Sequence, residues 1–276
     1  MSTEDYQLKN KNFNHIQFQH RNNIIDKFNI EEGSSILEIG CGQGDATYVL
    51  ASKVGNNGFV VGVDIADRNY GSPMTLGQSL DLLLKSKLGS RINIKLNTDL
   101  LNNITFNEFR DEYPNLFDYI FLIHSSWYIE SDVKLKKLMN KLYKLGKKLC
   151  FVEYNPEPKI FEQIPHYMSS IIQSELYCLR NIYIKNDNKY NPNIKTIITP
   201  KKIKEICYEV GWKNIINEFE INTEDLQDGK WEISECLSDH FKEYIKELEL
   251  IIDNNKHKNI INHLYFQIDI LNNIKK

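Results

Sequence analysis

An α/β fold built on a doubly wound parallel sheet is what this sequence predicts, on three observations. Short apolar runs recur along the chain, helical-period segments alternate with them, and the polar residues gather just past the C-terminal ends of the runs. With 276 residues, 41% of them hydrophobic, the chain is long enough for one elaborated domain.

The elements follow in order. Apolar positions from His15 to Phe28 (Ile16, Ile24, Ile25, Phe28) recur at helical spacing. The run Ile36–Ile39 is short, apolar and ends at glycine, as a buried parallel strand does. Asp45 to Val54 reads as a helix closed by the turn GNNG, and FVVGVD as a second strand ending at Asp64. Thr75 is placed to cap a helix from Leu76 to Leu84. INIKL, FDYIFLI and KLCFVEY supply three further strands, with a helix from Val133 to Leu145 before the last. The alternation then stops. Residues 155–198 hold one expected helix, about Ile160 to Tyr183, before Thr199-Pro200 opens another that Gly211 ends. KNIINEFEI and GKWEISECL read as a final strand pair, and 239–276 as C-terminal helices.

Bulk properties exclude several classes. With 34 basic and 37 acidic side chains, net charge −3, no electrostatic reason for nucleic-acid binding exists. No run approaches the roughly 18 to 20 apolar residues of a membrane span. The polar N-terminus carries no apolar signal segment. Five scattered cysteines without a CxxC pair read as reduced thiols and not as a zinc site, so no metal is expected and a cytoplasmic location is.

The stretch ILEIGCGQGDAT, Ile36 to Thr47, concentrates glycines between a strand and a helix, the geometry that brings a ligand against bare backbone and a helix N-terminus. A dinucleotide fingerprint GxGxxG fits poorly, because its sixth position is Asp45. GxGxG fits: Gly40, Gly42 and Gly44, with Glu38 two residues before. An acid there opposes a pyrophosphate and suits a positively charged ligand.

This segment resembles the first motif of the class I S-adenosylmethionine-dependent methyltransferases. The resemblance, from about Ile24 to Gly211, implies a seven-stranded Rossmann-like sheet and S-adenosylmethionine as cofactor. It assigns cofactor binding to Glu38, Gly40, Gly42, Gln43 and Gly44. Asp64 matches the acid that binds both ribose hydroxyls, a task suited to an acceptor-only carboxylate. Ile65 matches the residue that packs on the adenine, and Asp99 with Leu100 the position that meets its amino group. The stretches YGSPMTLGQSLDLLL and IHSSWYI are shared with methyltransferases called cyclopropane-fatty-acyl-phospholipid-synthase-like. The family's amide-methylating tetrapeptide is replaced by His124-Ser125-Ser126-Trp127.

Candidate catalytic residues are His124 and Glu153. His124, at the expected end of the fourth strand, is a general base, a substrate ligand or a cofactor contact. Glu153 either faces the pocket or is a solvated or lysine-paired carboxylate. Trp127 lines the pocket or packs beside it. His20-Arg21 lies on a helix that in this family folds over the cofactor, or else on a surface helix. The expected organisation is one domain with a core of about 24–154 and 199–238, a lid at 155–198 bearing Tyr167, Met168, Tyr177 and Tyr183, and the helices 239–276. The implied activity is methyl transfer to a small-molecule acceptor by a monomer or homodimer, without nucleic acid or membrane. The alternatives are a protein that binds the cofactor without acceptor chemistry, and a macromolecule methylase.

Overall fold

The computed structural model describes residues 15–72, 74–183, 192–213, 218, 219, 221, 226 and 228–234. Five strands form one sheet: β1 (Ser35–Ile39), β2 (Phe59–Val63), β3 (Ile92–Lys95), β4 (Phe117–Ile123) and β5 (Gly146–Val152). Their order is β3-β2-β1-β4-β5, and every pairing is parallel. Between β1 and β4 the order reverses, so the loops at their C-terminal ends diverge and leave a crevice.

Side chains of β4 show why both faces must be covered. Tyr119, Phe121 and Ile123 enter one core, while Ile120 and Leu122 enter the other. The first face is covered by α1 (His15–Ile25), α2 (Asp45–Lys53) and α3 (Leu76–Leu84), through Ile24, Leu50 and Leu80 among others. On the second face lie α4 (Asn103–Glu112), α5 (Asp132–Leu142) and α7 (Pro200–Val210), through Phe109, Leu138 and Ile203. Thr75 caps α3 with a reciprocal bond to Gln78, and Thr199 caps α7, whose C-terminal Gly211 has φ of 110°.

Three differences from the sequence reading stand out. Helix α4 was not anticipated; only Phe106 and Phe109 of it are buried, too few for an apolar stripe to show, and its start is set by Asn102, which accepts from the N–H groups of Ile104 and Thr105. GKWEISECL is not a strand where it is described: Asp228–Ser234 is helix α8. Its alternating pattern is misleading because the buried positions are Gly229 and Ile233, one helical turn apart, with Trp231 exposed. The described residues therefore hold five strands, not seven. Most of the other proposed strand, KNIINEFEI, and all of 239–276 lie outside the described residues.

The helix α6 (Ile164–Tyr183) follows a single 3₁₀ turn, Phe161–Gln163. It binds α8 through polar groups: Ser169 Oγ and Gln173 Nε2 both donate to the Glu232 carbonyl, at 3.0 and 2.8 Å. His166 Nε2 meets the Glu232 carboxylate.

Candidate active site

A cavity of about 650 Å³ opens at the C-terminal ends of the strands, in the crevice where the strand order reverses. One half is built by β1, β2 and the loop after β3. The loop after β1 turns through three glycines, all at positive φ. Two of them show why. A Cβ on Gly40 would stand 2.7 Å from the Cβ of Ser125, so the loop after β4 needs a bare backbone there. Gly42 instead faces open space at φ of 52°, leaving its backbone bare toward the cavity.

Glu38 lines this wall yet is buried, and Thr47 Oγ1 donates to its Oε2 at 2.6 Å. Burial pushes its pKa up to about 8, against the hydrogen bond from Thr47. Gln43 Nε2 donates to the Met74 carbonyl, which ties the glycine loop to the segment before α3. Asp64 accepts from the Gly42 N–H at Oδ2 and the Ala66 N–H at Oδ1, each at 2.9 Å. Its carboxylate is thus fixed by backbone while each oxygen keeps acceptor capacity. Ile65 is 71% exposed beside it, an apolar surface at the cavity edge. Asp99 accepts from the Leu101 N–H at 2.8 Å, and the buried Leu100 adds an apolar contact.

The other half is assembled from distant parts of the chain. His124 follows β4 at φ of 50°, an uncommon conformation for a non-glycine residue, and its N–H donates to the Val152 carbonyl at 2.9 Å. Its buried ring stacks on Tyr154 with centroids 4.2 Å apart and faces His20 at 5.8 Å. Burial, then the charge of Arg21, holds the His124 pKa well below its ordinary value, so the ring is neutral. Ser125 also lines the cavity, and its buried Oγ has no hydrogen-bond partner among the described residues.

Glu153 does not line the cavity. It lies behind the loop after β4, accepting from Ser126 N–H at 2.9 Å, Ser126 Oγ at 2.7 Å and Tyr154 N–H at 3.0 Å. His124 Nδ1 is 3.6 Å from its Oε1. The carboxylate is neither solvated nor lysine-paired, because the loop it holds buries it; burial pushes its pKa up to about 7. In this geometry it fastens Ser126 of the loop after β4 to the end of β5. Trp127 is buried against Tyr154 and Ile194 and also stays off the cavity wall. From α1, Arg21 reaches the cavity, so this helix does face the site.

Sequence reasoning missed Asp228 and Tyr154, both on the cavity wall. Asp228 begins α8 and receives Gln17 Nε2, with Arg21 Nη2 4.0 Å from Oδ1. Burial alone would raise its pKa, but the Arg21 charge and the polar side chains around it outweigh burial and hold the carboxylate ionised. No pattern in EDLQDGK marks that residue; only the packing of α8 does. Of the 155–198 segment, Pro192, Asn193 and Lys195 reach the cavity, whereas Tyr167, Met168 and Tyr177 of α6 do not.

Among the described residues no cluster of His, Cys, Asp and Glu is arranged to hold a metal, and no helix is long and apolar enough to cross a membrane. The donor set fits an adenosine-bearing, positively charged ligand: paired acceptors at Asp64, an apolar platform at Ile65, an acid at Asp99 and bare backbone at Gly42.

Comparison with known proteins gives three results. A family model described as a methyltransferase domain matches residues 30–69, the segment that carries the glycine loop. A solved structure, a cyclopropane-fatty-acyl-phospholipid synthase-like protein from Lactobacillus casei, is 30% identical with a TM-score of 0.73, covering 93% of this chain and 91% of that one. A mycolic acid cyclopropane synthase complexed with SAH and CTAB shares the fold at 12% identity and a TM-score of 0.53, covering 92% and 83%. Among curated relatives, a demethylmenaquinone methyltransferase of Staphylococcus epidermidis is 24% identical over 200 residues, 71% of this chain and 75% of that protein.

Proposed function

The chain belongs to the S-adenosylmethionine-dependent methyltransferases, and from that premise we propose that its acceptor is a small molecule taken into the cavity beside His124. What carries this reading is the cavity itself. At about 650 Å³ it runs without a break from the Asp64 and Asp99 carboxylates to Tyr128 and Lys195 beyond His124, the size range of single small-molecule sites. The relative that methylates demethylmenaquinone, also a small molecule, supports the same class.

When bound, the cofactor supplies an electrophilic methyl group on a sulfonium, so the protein's own task is orientation and exclusion of water. In this reading Asp64 accepts from the ribose hydroxyls, Ile65 and Leu100 pack the adenine, and Asp99 accepts from its amino group. Gly40, Gly42, Gln43 and Gly44 form the bare wall along the cofactor, and Glu38, kept protonated by its burial, holds that wall through Thr47. Arg21 faces the cofactor carboxylate. His124 orients the reacting groups at the methyl end, and Glu153 positions His124 from behind. Pro192, Asn193 and Lys195, and not α6, form the part of the proposed lid that touches the acceptor.

Calorimetry with S-adenosylmethionine, S-adenosylhomocysteine, NAD and FAD, followed by an acceptor screen read by S-adenosylhomocysteine release, tests the proposal. Binding of the first two ligands and turnover of a small acceptor are expected. Tight binding of S-adenosylhomocysteine with turnover only on protein or nucleic acid would sink it; binding without any turnover would leave a cofactor-binding protein.

A further inference from the structure

The half of the cavity around His124 has a chemical character of its own. The Asp228 carboxylate, with a side chain 15% exposed, is fixed at the cavity wall by Gln17. Arg21, at 4.0 Å, is an ion-pair partner beyond hydrogen-bond distance of Oδ1. Beside the carboxylate stand the stacked rings of His124 and Tyr154, and Tyr128 lines the same end. An anion flanked by aromatic rings is a setting for a cation.

Groups able to take a proton at this end are weak bases. Burial holds His124 neutral with little affinity for a proton, and Asp228 stays ionised because the Arg21 charge and the polar side chains around it outweigh burial. Glu130 is likewise held low, by Lys134. A hydroxyl or thiol acceptor needs its proton removed at transfer, and this end of the cavity offers little to remove it. Of the lysines lining this end, Lys134 is paired with Glu130 and Lys195 lies over the Tyr177 ring, so the charge an acceptor meets beside His124 is that of Asp228 with Arg21.

Resting on the methyltransferase reading above, we propose that the acceptor is a weakly basic nitrogen nucleophile, uncharged at neutral pH as a heteroaromatic nitrogen is, whose cationic product is held by Asp228 beside the stacked rings of His124 and Tyr154. The step balances without a base. The nitrogen lone pair forms the N–C bond as the S–C bond breaks; the bonding pair stays on sulfur, which leaves uncharged, and the positive charge passes to nitrogen. A carboxylate on the nitrogen side favours that displacement of charge in the transition state.

The test uses the full chain saturated with S-adenosylhomocysteine and titrated with choline, with the uncharged tert-butyl isostere of choline, and with tert-butylacetate as the anionic counterpart. Choline is expected to bind at least about tenfold tighter than the uncharged isostere, and the anion weakest. In Asp228→Asn the preference for choline should fall below about threefold. Where that variant fails to fold, Arg21→Gln decides: relieving the carboxylate of its partner should strengthen choline binding, and unchanged or weaker binding overturns the inference. Equal binding of the three probes, no choline binding, or preference for the anion overturns it on the wild-type protein alone. Loss of S-adenosylhomocysteine binding in a folded Asp228→Asn also overturns it, by assigning the carboxylate to the cofactor's amino group. Wild-type protein that does not bind S-adenosylhomocysteine would instead refute the proposed function itself.

Discussion

The two halves of the cavity are made in opposite ways. On the glycine-loop side, the polar groups are fixed by partners within one stretch of the chain, from β1 to the loop after β3: Asp64 by Ala66 and Gly42, Asp99 by Leu101, Glu38 by Thr47. Around His124 the groups come from five separate segments, since α1 gives Arg21, the ends of β4 and β5 give His124 and Tyr154, residues 192–195 add Lys195, and α8 brings Asp228. A ligand common to a whole family can be met by local geometry that any strand–loop–helix unit repeats. The acceptor varies between enzymes, and its wall is built from the pieces a fold is free to change.

The largest expected effect breaks the first half alone. Asp64→Ala should weaken S-adenosylhomocysteine binding by roughly 1.5 to 3 kcal/mol for each charge-assisted bond lost, reduced by any water that replaces it. The backbone N–H groups of Gly42 and Ala66 lose their acceptor as well, so the loop itself loosens. Asp99→Ala removes one ligand contact and should cost less. Calorimetry of both variants against wild type reads this directly, and an Asp64→Ala protein that is folded yet binds normally would refute the ribose assignment.

Next in size is a pH effect that belongs to the second half. Burial raises the Glu153 pKa to about 7, above the unfolded value of 4.5, so the folded state keeps a proton that the unfolded chain has lost. The sign follows: stability contributed by that proton is present below pH 4.5 and is lost as pH rises toward about 7, by about 3 kcal/mol at most. Glu38 adds a decline in the same direction, reaching about 8. Buried His20 and His124 act the opposite way below pH 6.5, so thermal melts should show a falling Tm from pH 6.5 to pH 8 and a flatter profile there for Glu153→Gln; identical profiles would show that Glu153 does not titrate in this window.

The smallest effect sharpens the contrast. Gln173→Ala removes the amide that holds the Glu232 carbonyl of α8, without touching any cavity residue. Roughly 1 to 2 kcal/mol of stability should go with it. S-adenosylhomocysteine affinity should stay within about threefold, while acceptor turnover falls because Asp228 loses its support. A change confined to cofactor affinity would mean that α8 serves the first half.

Legibility in the sequence follows the same division. The five described strands and the Thr75 and Thr199 caps could be read because each shows in a short run of sequence, and the spacing of Glu38, Asp64 and Asp99 at strand ends brought them to one cavity wall. Helix α4 escaped because it buries only two side chains, and α8 was misread because four residues of alternating polarity do not distinguish a strand from one exposed turn. Glu153 was placed correctly at a strand end, but whether it points into the cavity or behind the loop depends on Ser126, whose hydroxyl draws it away. Asp228 carries no local mark at all; its meaning arises from Gln17 and Arg21 at the other end of the chain.

The bond between Gln17 and Asp228 spans 211 residues. A ribosome adding about 5 to 20 residues per second needs roughly 10 to 40 s to bring the second partner out after the first. For the last 129 residues of it, from Asp99 to Asp228 and roughly 6 to 26 s, the residues of the glycine-loop wall have been made but the carboxylate opposite them has not. The acceptor half of the cavity is thus the last part of the site for which the ribosome supplies the residues.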